Sequence, residues 1–115
     1  MSDPGGVIQR RDPIDDGLVI ALEGEIDLIR SPQLRAELVE ILDGGVDRLV
    51  IDLSEVSFMD SSGVATLVEV LQHQRKSESK LVLCGLRDKV RSIFEISRLD
   101  MVFSIADDVD AAVKV

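Results

Sequence analysis

Tryptophan and tyrosine are absent from this chain, and phenylalanine occurs only three times. That leaves almost no aromatic platform on which bases could stack. Positive charge is also scarce: 13 Lys and Arg stand against 22 Asp and Glu, for a formal charge of −9. Such a field repels phosphate backbones, so direct nucleic-acid binding is excluded and protein partners are expected. No apolar run is long enough to span a bilayer, and no secretory signal opens the chain, so a cytoplasmic location without membrane insertion is the default expectation. Cys84 is the sole cysteine, which rules out a disulfide within the chain. It lies in the apolar run Lys80-Leu81-Val82-Leu83-Cys84-Gly85, where a small buried hydrophobe is expected rather than a redox thiol.

Catalytic constellations are missing as well. A serine nucleophile needs a histidine within hydrogen-bond reach. The only histidine, His73, lies eleven residues after Ser62. On one helix that spacing is about 16 Å at 1.5 Å per residue. There is no Gly-x-Ser-x-Gly elbow, no phosphate-binding Gly-x-x-x-x-Gly-Lys loop and no Gly-x-Gly-x-x-Gly. No His/Cys set matches a zinc site. Asp52 and Asp60 near the end of one strand form a weak Mg²⁺ candidate, but bonds to loop backbone and a helix cap explain them as well. The chain reads as a binding module, not an enzyme, with no cofactor.

What is present is a punctuated alternation of strands and helices. The 115 residues suffice for one domain and one core, with 45% hydrophobic and 30% charged residues. Residues 1–6 read as a loose tail and 7–115 as the domain. Val7–Arg10 and Leu18–Leu22 are expected strands, joined as a hairpin by the turn chemistry of Asp15-Asp16-Gly17. Ser31-Pro32 reads as an N-cap and first helical residue, and Gly44-Gly45 as the stop of that helix. Leu49–Leu53 is a buried strand. A second helix is expected over Ser61–Ser77, with Val64, Leu67, Val68 and Leu71 on one face. A strand at Leu81–Cys84, a helix from about Arg87, a short strand at Val102–Ile105 and a final helix capped by Asp107-Asp108 complete the order. This predicts an α/β fold: a small domain with a central mixed, largely parallel sheet and about four helices.

The most informative stretch is Phe58-Met59-Asp60-Ser61-Ser62-Gly63-Val64. An acid, two serines and a glycine stand where a strand gives way to a helix. Free backbone N–H groups and the positive end of the helix dipole collect there. Plain capping accounts for such residues. A hydroxyl at that place is also accessible to another molecule, and a phosphate on it is compatible with a helix start. Gly63, lacking a Cβ, is expected to let a partner's backbone approach closely.

These segments resemble the STAS domain family. Gly24-Glu25-Ile26-Asp27-Leu28 with Ser31-Pro32-Gln33-Leu34-Arg35 is similar to its early segment. Leu49–Leu53 followed by Phe58–Gly63 resembles its signature strand and phospho-acceptor turn, and Leu86–Val102 its third helix. The resemblance is greatest to the stand-alone bacterial anti-sigma-factor antagonists. It implies phosphorylation at Ser62 and a partner-binding surface at Asp60, Ser61, Ser62 and Gly63. The implied partners are an anti-sigma factor with serine kinase activity, bound by the unphosphorylated form, and a PP2C-type phosphatase that reverses the modification. The same fold also serves as a subunit of bacterial lipid-transport complexes and of stress-signalling scaffolds, and these stand as the alternative. An enzyme acting on nucleotides or esters is the remaining one.

Overall fold

A computed structural model describes residues 6–115, so most of the expected tail lies outside the described residues. Its elements are β1 (Ile8–Ile14), β2 (Gly17–Ile26), α1 (Ser31–Asp43), β3 (Arg48–Met59), α2 (Ser61–Lys76), β4 (Lys80–Cys84), α3 (Asp88–Ile96), a 3-10 turn (Leu99–Met101), β5 (Ser104–Ala106) and α4 (Val109–Ala112). The sheet runs β1-β2-β3-β4-β5, with β1 antiparallel to β2 and the other pairs parallel. The α/β class, the mixed sheet and the helix number agree with the sequence reading.

The period of two along each strand sorts residues between two faces. Leu49, Ile51 and Leu53 of β3, with Ile20, Leu22, Leu81 and Leu83, face the main core. There Leu34 and Leu38 of α1, Leu67 of α2, and Val90 and Phe94 of α3 cover them. Phe94 meets Phe103 edge to face, with ring centroids 5.4 Å apart. Val19, Val50, Val82 and Cys84 point the other way, under Ala112 of the short α4. Cys84 is fully buried, and its thiol is pushed up to about 12, first by burial and then by the charges of Asp52 and Asp108. It is an inert core residue.

The hairpin forms as expected: Ile14 pairs with Gly17 across a two-residue turn. Gly17 is required there, because an added Cβ would lie 1.8 Å from the Arg48 carbonyl oxygen. The first strand is later and longer than Val7–Arg10. It is an exposed edge, blunted by Arg10, Arg11, Asp12 and Pro13. The strand expected to end at Leu53 continues to Met59, which decides where the next residues sit. Beyond Asp52 it stays paired with β2, Glu23 to Glu55 and Ile26 to Met59, through two register shifts. Those irregularities break the apolar alternation that a sequence reading follows.

Candidate functional site

The extended β3 carries the chain to Asp60, whose N–H still donates to the Ile26 carbonyl 3.2 Å away. Asp60 is the N-cap of α2 in extended conformation. Its Oδ1 accepts from the N–H groups of Ser62 at 2.9 Å and Gly63 at 3.4 Å, and from the Ser62 hydroxyl. Its Oδ2 accepts from the Leu28 N–H at 3.1 Å, in the loop between β2 and α1. One carboxylate therefore closes the helix start and ties a second loop to it. The Asp60 carboxyl is held below its ordinary value of 3.8, mainly by the Ser62 hydroxyl; partial burial opposes this, and the three backbone donors add to it.

The expected site residues have different surroundings. Ser61 is exposed and Ser62 half-buried, so both serines meet solvent. Only Ser62 is built into the turn: its carbonyl also accepts from the Thr66 hydroxyl at 3.0 Å. Gly63 is buried, so it has a packing role of its own beside the expected one in partner approach. A Cβ there would come within 2.7 Å of Met59 Cγ, 2.9 Å of Ile26 Cγ2 and 3.0 Å of the Ile26 carbonyl. The glycine is needed for packing within the domain, between the start of α2 and the end of β2.

Ser31 also differs from expectation. It is the first residue of α1, not its cap; Arg30 occupies the cap position and offers no side-chain capping bond, its guanidinium donating instead to the Glu23 and Glu25 carbonyls. The turn is closed instead by Asp27, whose Oδ1 accepts from the N–H groups of Ile29 and Arg30. The Ser31 hydroxyl, freed from capping and buried, lies 2.5 Å from the Asp27 carbonyl oxygen and 2.8 Å from Ser62 Oγ. Sequence reasoning missed this contact. It also missed that the loop presents two large apolar side chains to solvent, Leu28 at 74% and Ile29 at 85% exposure, with half-exposed Phe58 at the end of β3.

Asp52 is not part of this site. It sits eight residues earlier on β3, accepts from the Ser54 N–H at 3.0 Å and lies 3.8 Å from Arg10. No group of three or more His, Cys, Asp or Glu among the described residues is placed to hold a metal ion. His73 is exposed on α2, three turns beyond Ser62. The turn thus offers a hydroxyl acceptor, bonded to a carboxylate, beside an exposed apolar loop.

Comparison with known proteins identifies the family. The STAS domain family model matches residues 7–112. The chain is 38% identical over 100 residues to the anti-sigma-B factor antagonist of Listeria monocytogenes, covering 85% of this chain and 84% of that one. Among solved structures it is similar to an anti-sigma factor antagonist from Mycobacterium paratuberculosis, with a TM-score of 0.83, 25% identity and coverage of 99% of this chain and 97% of that one. It is also similar to the Bacillus cell fate determinant SpoIIAA in its phosphorylated form, with a TM-score of 0.70, 25% identity and coverage of 91% and 96%. The match over nearly the whole chain shows that it belongs to the STAS domain family.

Proposed function

From STAS membership and the geometry of the turn, we propose that the chain is a cytoplasmic anti-sigma-factor antagonist that works by partner switching. The unphosphorylated form binds an anti-sigma factor that is also a serine kinase, and so frees the sigma factor. Phosphoryl transfer from ATP to Ser62 ends the complex, and a PP2C-type phosphatase restores it. The observation that carries this reading is the Ser62 hydroxyl itself. It sits half-exposed in the first turn of α2, bonded to Asp60, beside a loop whose Leu28 and Ile29 have no cover. No helix among the described residues is long and apolar enough to cross a membrane, in keeping with a regulator of this kind.

The charges explain how one modification acts. A phosphate brings about −1.5 to −2 charge. The helix N-terminus favours that charge by about 0.3–1 kcal/mol. The Asp60 carboxylate, bonded to the same hydroxyl, opposes it and loses a donor when the proton is replaced. The domain therefore gains little from the phosphate, and the main effect falls on whatever packs over Leu28, Ile29 and Ser62. Placing an anion in a desolvated contact that costs about 3–4 kcal/mol weakens binding several hundredfold.

The test is a pull-down from the host with the unmodified chain, followed by incubation of the recovered complex with Mg·ATP and mass spectrometry. Phosphate on Ser62 with release of the partner is expected. The Ser62→Ala chain should stay folded, with at most a small loss of melting temperature near neutral pH, and hold the partner in the presence of ATP, read by thermal melts and calorimetric titration. Dominant modification of Ser61, or normal release of the Ser62→Ala chain, would end this reading.

A further inference from the structure

Three close oxygen contacts run in a chain through this turn: Asp27 carbonyl to Ser31 Oγ, Ser31 Oγ to Ser62 Oγ, and Ser62 Oγ to Asp60 Oδ1. Each hydroxyl carries a single proton. With Asp60 ionised, two protons must serve three contacts. The Ser62–Asp60 contact has a charged acceptor at 2.5 Å and so takes the Ser62 proton. Ser62 Oγ must then accept from Ser31, whose proton is shared between Ser62 Oγ and the Asp27 carbonyl. One lone pair on Ser62 Oγ remains free.

We propose that Ser31 is a positioning residue for the modification of Ser62: by donating to Ser62 Oγ it locks the acceptor side chain in one rotamer and leaves a single direction open for bond formation. This rests on Ser62 being the phospho-acceptor. In the transfer the Ser62 Oγ–P bond forms and the bond from the γ-phosphorus to the bridging oxygen of ATP breaks. ADP departs, and the hydroxyl proton passes along its existing hydrogen bond to Asp60 Oδ1 and on to water. Ser31 is 4% exposed, so it acts through Ser62 and not by touching the kinase. Its loss should therefore alter turnover and leave docking unchanged, as expected when an attacking atom is less well aligned.

The experiment compares the full chain with Ser31→Ala, Ser31→Cys and Ser31→Thr, using the kinase recovered by the host pull-down and Mg·ATP. Ser31→Cys nearly preserves the buried volume while supplying only a weak donor, and so stands in if Ser31→Ala folds poorly. In the Ala and Cys chains kcat should fall about threefold to tenfold, the scale of one hydrogen bond, with KM unchanged. Ser31→Thr, which retains the hydroxyl, should restore most of the rate. Independently of any kinase, the Ser62 Hα–Hβ couplings in NMR should report one rotamer in the parent and Thr chains and averaging in the Ala and Cys chains. Equal kcat in all four chains, or an unaveraged Ser62 rotamer without the hydroxyl, would overturn the role of Ser31 while leaving Ser62 as the acceptor. Failure of the parent chain to take phosphate on Ser62 would overturn both.

Discussion

Two helices in this domain begin in the same way, with an aspartate as N-cap after a strand of the sheet. Asp60 caps α2 after β3, and Asp108 caps α4 after β5 by accepting from the Ala111 N–H at 2.9 Å. Their neighbours differ. Asp108 shares an open pocket of about 300 Å³ with Asp52, Asp107 and Asp110, an array of carboxylates around a four-residue helix. Asp60 is joined to a hydroxyl, to the loop that carries Leu28 and Ile29, and to a helix start packed on Ile26 through Gly63. A cap by itself only closes a helix. On the proposed function, what suits the Asp60 turn to switching is that the acceptor hydroxyl and the exposed apolar loop share that one carboxylate.

The strongest way to break the comparison is at Gly63, which is buried, whereas Gly85, the glycine lining the Asp108 pocket, is only half-buried. Gly63→Val would press three added carbons against Met59 and the backbone of Ile26. We expect a loss of about 3 kcal/mol, the upper range for overpacking, read as a lower urea midpoint. Partner binding should fall in step with the folded fraction. A Gly63→Val chain of parental stability that fails to bind would instead mark the glycine as a point of partner approach.

How much of this was legible in the sequence follows from how local each interaction is. Asp60-Ser61-Ser62-Gly63 could be read because capping joins residues two and three apart. The hairpin turn and the Gly44 stop are local in the same sense. The Ser31–Ser62 contact joins residues 31 apart, and no spacing rule reaches it. Ser31-Pro32 carries the signature of a cap, but Asp27 closes that turn first, and the signature misled for that reason. The end of β3 was hidden because exposed Ser54, Glu55 and Ser57 interrupt its apolar run, whereas the pairing with β2 that sustains it is visible only in three dimensions.

A second, smaller effect sharpens the contrast through acid stability. Asp60 is more acidic folded than free, and the Ser62 hydroxyl is the largest cause. A carboxylate of that kind contributes stability that is fully present above its unfolded value of 3.8 and is lost as pH falls through its folded value. Ser62→Ala removes the main cause, so the Asp60 carboxyl carbon should titrate in NMR closer to the ordinary range. The drop in melting temperature between about pH 6 and about pH 3 should be shallower than in the parent chain. Ser62→Asp places a carboxylate beside Asp60 and should raise the Asp60 titration further, so it is a poor imitation of a clean phospho-switch. An unchanged Asp60 titration in Ser62→Ala would show that the backbone donors alone hold the carboxylate.

The smallest effect belongs to the other cap. Asp108→Ala removes one hydrogen bond from the start of α4 and should cost about 0.5–1 kcal/mol. The helix lies over the second face of the sheet, where Ala112 packs with Val50, Val82 and Cys84. Fraying of α4 would therefore expose Cys84, and the rate of its reaction with a thiol reagent measures that fraying directly. The Asp108 charge is the last of the three causes that raise the Cys84 thiol, and burial is the first, so the thiol should remain nearly unreactive in the variant. Partner affinity and Ser62 phosphorylation should match the parent, because nothing in the Asp108 turn joins it to the loop of Leu28 and Ile29. A change in either would mean that the two caps are coupled through β3, whose Asp52 lines the Asp108 pocket and whose last residue precedes Asp60. The distinction between a closing cap and a switching cap would then have to be drawn along the strand and not at its end.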